Sequence, residues 1–129
     1  DIKGKMEMET AYFLDTYALI EISKENKNFK KFEETTNFTG IMNLLEIHYA
    51  MSKSFNARKA DDIIEKLKKI LVEIQIKDVK DASAFRLTHI KGDFSYIDCL
   101  GYVMALNRNL KFVTGDNQFK DLENIEFVK

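Results

Sequence analysis

Hydrophobic and polar residues follow one another along the chain in short blocks that predict strands and helices in turn. The first apolar run, residues 11–14, ends at Asp15 and is typical of a strand buried on both faces. Residues 16–25 then carry apolar side chains at helical spacing, and a second short helix is predicted over residues 29–35. The chain therefore begins with a strand followed by helical structure.

The middle of the chain is predicted to hold a long helix with two apolar faces. A weak strand over residues 37–40 precedes it, and the helix starts at Ile41. One apolar stripe contains Leu44, Ile47, Met51 and Phe55, and a second contains Leu45 and Tyr49. Such a helix needs two partners, which we expect to be the sheet on one side and either a neighbouring helix or a second subunit on the other.

The second half of the chain continues the alternation of helices and strands. The predicted order is helix, strand, two helices and two strands, over residues 57–70, 71–76, 78–90, 95–107, 110–113 and 125–128. Strands that alternate with helices are typical of right-handed crossovers and a parallel sheet covered on both sides. We therefore predict an α/β fold, a three-layer α/β/α sandwich with a mostly parallel sheet of about five strands.

The length of 129 residues suits one domain. We expect this domain to span residues 8–129. Because the chain does not begin with Met, whereas Met6 and Met8 lie just before the first apolar run, residues 1–7 are interpreted as a tail or an expression remnant.

Composition argues for a soluble globular protein, since 45% of residues are hydrophobic and 32% are charged. No apolar run approaches the roughly 20 residues that span a membrane, and residues 1–5 lack the apolar stretch of a signal peptide. We therefore expect a cytoplasmic protein with no membrane partner.

Charge and cysteine content narrow the chemistry further. The 20 basic and 21 acidic side chains nearly cancel, so there is no overall positive field to attract nucleic acid. An RNA substrate would need metal ions or a local basic patch to hold its phosphates. Cys99 is the single cysteine, which excludes an internal disulfide and a multi-cysteine zinc site.

Four acidic residues are predicted to meet at one edge of the sheet. Asp15 directly follows the first strand, and Asp116 follows the strand over 110–113 across a Thr-Gly turn. Glu46 and Asp98 each lie near the start of a helix that is entered from that same edge. Ligands in open parallel sheets bind beyond the carboxyl ends of the strands, which makes this edge the candidate site.

Clustered carboxylates repel one another unless a cation neutralises them, and hard oxygen ligands favour Mg²⁺ or Mn²⁺ over zinc. Such ions polarise a phosphate and lower the pKa of a bound water, which is the chemistry of two-metal nucleases. The pattern therefore indicates hydrolysis of a phosphodiester bond.

Each acid also has an ordinary structural interpretation. The spacings Asn43-x-x-Glu46 and Ser95-x-x-Asp98 both match a helix capping box. Asp15 and Asp116 equally suit turn positions. The residues alone leave these alternatives open.

Four motifs of the chain resemble, in order and spacing, those of the PIN-domain nucleases. They are residues 13–20 (FLDTYALI), 43–46 (NLLE), 96–98 (YID) and 113–119 (VTGDNQF). The resemblance spans nearly the whole chain, from residue 12 to residue 128, and is closest to the VapC type of toxin ribonuclease.

The resemblance implies a divalent-metal-dependent endoribonuclease with an RNA substrate. Asp15, Glu46, Asp98 and Asp116 would be its catalytic acids and its ligands for Mg²⁺ or Mn²⁺, and Thr114 would support Asp116. Toxins of this kind usually form homodimers and are inhibited by a small antitoxin protein. The chain departs from the usual pattern in two places: Gly101-Tyr102 occupy a stretch usually richer in alanine, and Asn117 stands where a further acid is sometimes found.

Thr16 is a further candidate, since its hydroxyl could orient a metal-bound water or phosphate, although it also stands where a helix N-cap belongs. His48 is interpreted as a packing or interface residue, because two positions along a helix turn it away from Glu46. His89 could pair with Asp93 at a metal but is better explained as a helix C-terminal partner. The lysines within residues 58–69 could follow RNA phosphates, although such a run is more often a solvated helix face.

Competing functions make different demands on the sequence. A phosphatase of the haloacid-dehalogenase type needs a second Asp two residues after the first, and Tyr17 stands there. Receiver domains pair acids directly after the first strand and carry a late Lys, which Asp15-Thr16 and Thr114-Gly115 do not reproduce. A catalytically silent PIN-like module that binds RNA or protein is the alternative that remains.

Overall fold

The computed structural model describes residues 10–129, so the expected tail over residues 1–7 lies outside the described part. The strands are β1 (Ala11–Leu14), β2 (Thr36–Gly40), β3 (Leu71–Val72), β4 (Lys111–Thr114) and β5 (Ile125–Phe127). The helices are α1 (Thr16–Ser23), α2 (Ile41–Ser54), α3 (Ala57–Leu67), α4 (Ile76–Thr88) and α5 (Tyr96–Asn107). Short 3₁₀ segments cover Lys27–Glu34, Lys68–Ile70 and Asn117–Phe119.

The five strands form one sheet in the order β3-β2-β1-β4-β5, and every pair of neighbours is parallel. Phe13 of β1 lies opposite Phe38 of β2 on one side and Phe112 of β4 on the other. The predicted α/β/α class and the five-stranded parallel sheet are confirmed. The strand order runs outward in both directions from the β1–β4 pair, so the chain reverses its direction of winding there.

Successive strand residues face opposite sides of the sheet, and each side has its own core. Phe13 and Phe112 stack at 5.9 Å between ring centroids in the core that α5 covers with Tyr102. Leu14 and Val113, the next residues of the same strands, pack on the other side with α1, α2 and α3. Burial on both faces explains why β1 is apolar throughout and why Phe112 and Val113 are consecutive apolar residues in β4.

The predicted strand over residues 71–76 was too long. Val72 pairs with Gly40, which is the last residue of β2, and α2 begins directly after it. Because β2 offers no backbone partner beyond Gly40, β3 ends after two residues and α4 starts at Ile76.

The helix predicted over residues 29–35 is a 3₁₀ segment, Lys27–Glu34, which buries Phe29 and Phe32. Two residues three positions apart face the same side of a 3₁₀ helix, so this spacing suits either helix type. The apolar pattern therefore could not determine where this helix begins and ends, or whether it is an α-helix or a 3₁₀ helix.

The two apolar stripes of α2 differ in their burial. Leu44, Ile47 and Met51 are buried, whereas Leu45 and Tyr49 are exposed. Phe55 was assigned to the same stripe as Leu44, Ile47 and Met51 but lies just past the end of the helix, where its ring is exposed and contacts the Lys59 ammonium.

Among residues 10–129, no helix has the length and apolar character required to cross a lipid bilayer.

Candidate active site

The candidate site lies where β1 and β4 end side by side. Crossovers from these neighbouring strands leave in opposite directions, which opens a crevice beyond their carboxyl ends. Asp15 follows the last residue of β1, and Asp116 stands two residues after Thr114, the last residue of β4. The topology therefore brings both acids to the crevice.

Asp15 is the most buried of the four acids, with 5% of its surface exposed. One carboxylate oxygen accepts the backbone N–H of Thr16 at 2.7 Å, so Asp15 caps α1. The other accepts the hydroxyl of Thr114 at 2.8 Å. Burial raises the pKa of Asp15 to about 7, and the charges of Asp98 and Glu46 act in the same direction.

Glu46 does not belong to a capping box. The N-cap of α2 is Gly40, and Glu46 lies in the second turn of the helix. Asn43 is buried and donates its amide N–H to the hydroxyl oxygen of Thr16 at 3.0 Å, and that hydroxyl donates to Glu46 Oε1 at 2.5 Å. The N-cap interpretation of Thr16 is also wrong, because Asp15 caps α1 and Thr16 is the first helical residue.

Asp98 both caps its helix and faces the cleft. Ser95 Oγ accepts the N–H of Asp98 at 3.0 Å, and Asp98 Oδ2 accepts the N–H of Ser95 at 2.9 Å, which is the predicted capping box. Burial raises the pKa of Asp98, and the charges of Asp116 and Asp93 add to that effect. The structural and chemical interpretations of this residue therefore coexist.

Asp116 is held by the turn that follows β4. Its N–H donates to Thr114 Oγ1 at 3.1 Å, and its Oδ1 accepts the N–H of Gln118 at 3.1 Å. The Gln118 amide nitrogen lies 3.0 Å from Asp116 Oδ2 and 3.4 Å from Asp98 Oδ2, so it lies between two like charges. Thr114, through one hydroxyl, contacts Asp15 as well as Asp116.

The four acids line one open cleft of about 460 Å³. Its other lining residues are Thr16, Tyr17, Gly115, Asn117 and Lys129. Gly115 is required at the floor, because a Cβ there would overlap the Tyr17 ring and the Val128 carbonyl. Within residues 10–129, no Lys, Arg or His forms an ion pair with any of the four acids.

The donor set fits a hard divalent cation, since it consists of carboxylate oxygens around a buried Asp15 that has no cationic partner among residues 10–129. Three of the acids each have one carboxylate oxygen engaged by a hydrogen bond: Glu46 Oε1 by Thr16, Asp98 Oδ2 by Ser95 and Asp116 Oδ2 by Gln118. In the described part of the chain, no three His, Cys, Asp or Glu side chains are grouped closely enough to hold an ion as they stand. Metal binding would require the acids to draw closer together.

The other candidate residues lie outside the cleft's lining. His48 contacts Asp61 at 2.7 Å between α2 and α3 rather than packing in the core. His89 ends α4 and stacks on Phe85 with 4.0 Å between ring centroids, and Cys99 is buried as a small apolar residue.

Three residues near the acids were not predicted to take part. Asn43 was singled out only for its spacing to Glu46, which suggested a helix cap. No sequence pattern indicated a role for Gln118 or Lys129. Their roles depend on which side chains the fold brings next to them. A single sequence does not show these contacts between distant segments.

Residues 12–125 match the model of the PIN domain, and the chain therefore belongs to the PIN domain family. No curated protein matches the sequence significantly.

Solved structures of toxin–antitoxin proteins share the fold. VapBC2 from Rickettsia felis, bound to a DNA fragment from its promoter, is 20% identical with a TM-score of 0.74, over 93% of this chain and 100% of that one. VapC20 from Mycobacterium tuberculosis, a sarcin-ricin loop cleaving toxin, is 13% identical with a TM-score of 0.77, over 92% and 99%. DNA-bound VapBC from Salmonella typhimurium is 16% identical with a TM-score of 0.73, over 92% and 97%.

Proposed function

We propose that the protein is a divalent-metal-dependent endoribonuclease of the cytoplasm, and the toxin of a toxin–antitoxin pair. The observation that carries the proposal is the convergence of four carboxylates from four separate segments on one cleft at the β1–β4 crevice. Membership of the PIN family and the shared fold with a sarcin-ricin loop cleaving toxin support it.

The buried acid is the best indication that the cleft is built for a cation. Within residues 10–129, the Asp15 carboxylate has two donors, the neutral Thr16 N–H and the neutral Thr114 hydroxyl, and its pKa is raised to about 7. A carboxylate kept in such surroundings destabilises the fold at neutral pH unless a positive charge joins it. Asp15, Glu46, Asp98 and Asp116 would hold Mg²⁺ or Mn²⁺.

When bound, the ion would neutralise phosphate charge and lower the pKa of an attacking water. The chain's own residues supply the positioning. Thr114 holds Asp15 with its hydroxyl proton while it accepts the N–H of Asp116, so one side chain sets the spacing of two acids. Among the described residues, Lys129 is the basic residue that lines the cleft, and it would attract the RNA phosphate that the acids alone repel.

Exposed apolar surfaces support the proposed protein partners, a second copy of the chain and a small antitoxin. Leu45 and Tyr49 of α2 are more than half exposed. A groove of about 500 Å³ between α4 and α5 is lined by Val79, Leu87 and Tyr96, which are also exposed. Apolar patches of this kind mark interaction sites on soluble proteins.

The activity is tested by incubating the protein with total cellular RNA and Mn²⁺ or Mg²⁺. The cut ends of the RNA are then mapped. We expect cleavage that chelation abolishes and that Asp15→Asn and Asp98→Asn each reduce by about 10²-fold or more. Asp62→Asn is the matched control, because this exposed acid of α3 does not line the cleft. Normal cleavage by the folded Asp15 and Asp98 variants would refute the proposed roles, and the absence of both cleavage and metal binding in the wild type would favour a silent binding module.

A further inference from the structure

Asn43 is a buried polar residue whose presence the packing alone does not explain. It lies in the first turn of α2 with 2% of its surface exposed, beside the buried Leu44 and in line with the buried Ile47. A buried amide is costly unless it is hydrogen-bonded. Its partner is the hydroxyl of Thr16, which lies 3.0 Å from Nδ2.

The direction of this contact follows from the group beyond it. The Thr16 hydroxyl has one proton, and Glu46 Oε1 lies 2.5 Å from its oxygen. Glu46 Oε1 accepts in this contact, so Thr16 gives its proton to Glu46. Asn43 must then present its N–H rather than its carbonyl to Thr16. The three side chains form a one-way chain of hydrogen bonds from Asn43 through Thr16 to Glu46.

This chain of bonds determines how Glu46 faces the cleft. Oε1 is engaged by Thr16, and among residues 10–129 no group donates to Oε2, which leaves that oxygen for the cleft. It also joins Thr16, the first residue of α1 and the neighbour of Asp15, to α2, which carries Glu46. Since the only proton of the Thr16 hydroxyl is already donated to Glu46, that hydroxyl cannot also donate to a water or a phosphate.

We propose that Asn43 is a positioning residue that acts through Thr16 to orient Glu46 toward the metal of the cleft. The inference rests on the proposed function, because it concerns the same site. Groups that orient a ligand side chain typically change metal affinity by about 10–100-fold when they are removed.

Calorimetric titration of the full chain with Mn²⁺ tests the proposal without reference to activity. Thr16→Val keeps the shape of the side chain and removes the hydroxyl, and we expect it to weaken Mn²⁺ binding by about 10-fold. Thr16→Ser restores the hydroxyl and should stay within about 2-fold of the wild type. Asn43→Leu leaves Thr16 free to turn, so it should weaken binding about 3-fold to 10-fold.

A double-mutant cycle separates positioning from simple stability. In a Glu46→Gln background, Thr16→Val should change Mn²⁺ affinity by less than about 2-fold, since the carboxylate it orients is absent. The free energy of unfolding of each metal-free variant is measured alongside.

Variants that lose stability but keep wild-type affinity would overturn the proposal, as would a normal affinity for Asn43→Leu when Thr16→Val binds weakly. A wild-type chain that binds no Mn²⁺ would overturn the proposed function and this inference together.

Discussion

Asp15 and Asp78 are both buried at the start of a helix, but their surroundings are opposite. Asp78 accepts two N–H groups of Arg108 at 2.7 and 2.8 Å, the Asn107 amide and the Gln75 backbone N–H. The Arg108 hydrogen bonds hold its pKa well below the usual range. Asp15 has two neutral donors, and burial raises its pKa to about 7.

The difference distinguishes an acid that stabilises the fold from one that we propose to be a metal ligand. The Asp78–Arg108 pair joins the start of α4 to the end of α5 and is complete within the chain. Asp15 has no such cation within the described chain, and the charges of Asp98 and Glu46 raise its pKa further. Perturbed acids in a cleft are candidates for function, whereas a satisfied buried pair has a structural explanation.

The largest expected effect on stability comes from breaking the satisfied pair. Arg108→Ala leaves Asp78 buried without its cation and should lower the free energy of unfolding by about 3–5 kcal/mol. Urea denaturation measures the change. Mn²⁺ affinity of the folded variant should stay at the wild-type value, and a selective loss of metal binding would show that the two regions are not independent.

The second prediction concerns Asp15→Asn in the metal-free protein. Removing a charge that burial disfavours should raise the free energy of unfolding at pH 8 by about 1–3 kcal/mol, after allowance for weaker hydrogen bonds. Thermal or urea unfolding in the presence of a chelator measures it. A destabilised Asp15→Asn at pH 8 would contradict the view that this charge lacks a partner.

The two aspartates should also give opposite pH dependences. The raised pKa of Asp15 means that the folded state holds a proton more tightly than the unfolded state, so its contribution to stability falls as pH rises from about 4 to about 7. The lowered pKa of Asp78 means that its contribution is complete above about pH 4 and is lost as pH falls below that value. Unfolding free energies of Asp15→Asn and Asp78→Asn across pH 2–8 should therefore differ from the wild type with opposite slopes.

Thr114→Val should have an intermediate effect. The substitution removes the hydroxyl that donates to Asp15 and accepts the N–H of Asp116, and we expect a loss of about 1–3 kcal/mol in unfolding free energy. Thr114→Ser keeps the hydroxyl and is the matched control. Equal stabilities of the two variants would show that the hydroxyl does not hold the acids.

The smallest effect is expected at the exposed pair of His48 and Asp61. Their contact measures 2.7 Å, but both side chains are well exposed to solvent. Asp61→Asn should change the unfolding free energy by less than about 1 kcal/mol. A larger change would show that α2 and α3 depend on this contact.

Much of the candidate site could be predicted from the chain because parallel strands impose a common edge. Asp15 and Asp116 follow apolar strand segments directly, so their position depends only on strand type and direction. The approximate bounds of α1, α2 and α5 were similarly clear from apolar periodicity.

The remainder depends on contacts between distant segments. The spacing Asn43-x-x-Glu46 is the same in a capping box and in the second turn of a helix, and only the position of Thr16 from another helix distinguishes them. The Asp78–Arg108 pair joins residues 30 positions apart, and no local sequence pattern predicts that they are in contact. The length of β3 was set by the end of β2, again by a neighbour rather than by its own sequence.

The most direct test of whether Asp15 is a metal ligand is thermal unfolding. The wild type and Asp15→Asn are each unfolded with a chelator and with saturating Mn²⁺. Without metal, Asp15→Asn should unfold at the higher temperature. With Mn²⁺ the wild type should gain stability and the variant should not, so that the order reverses. Equal Mn²⁺ shifts in both proteins, or none in either, would contradict the account.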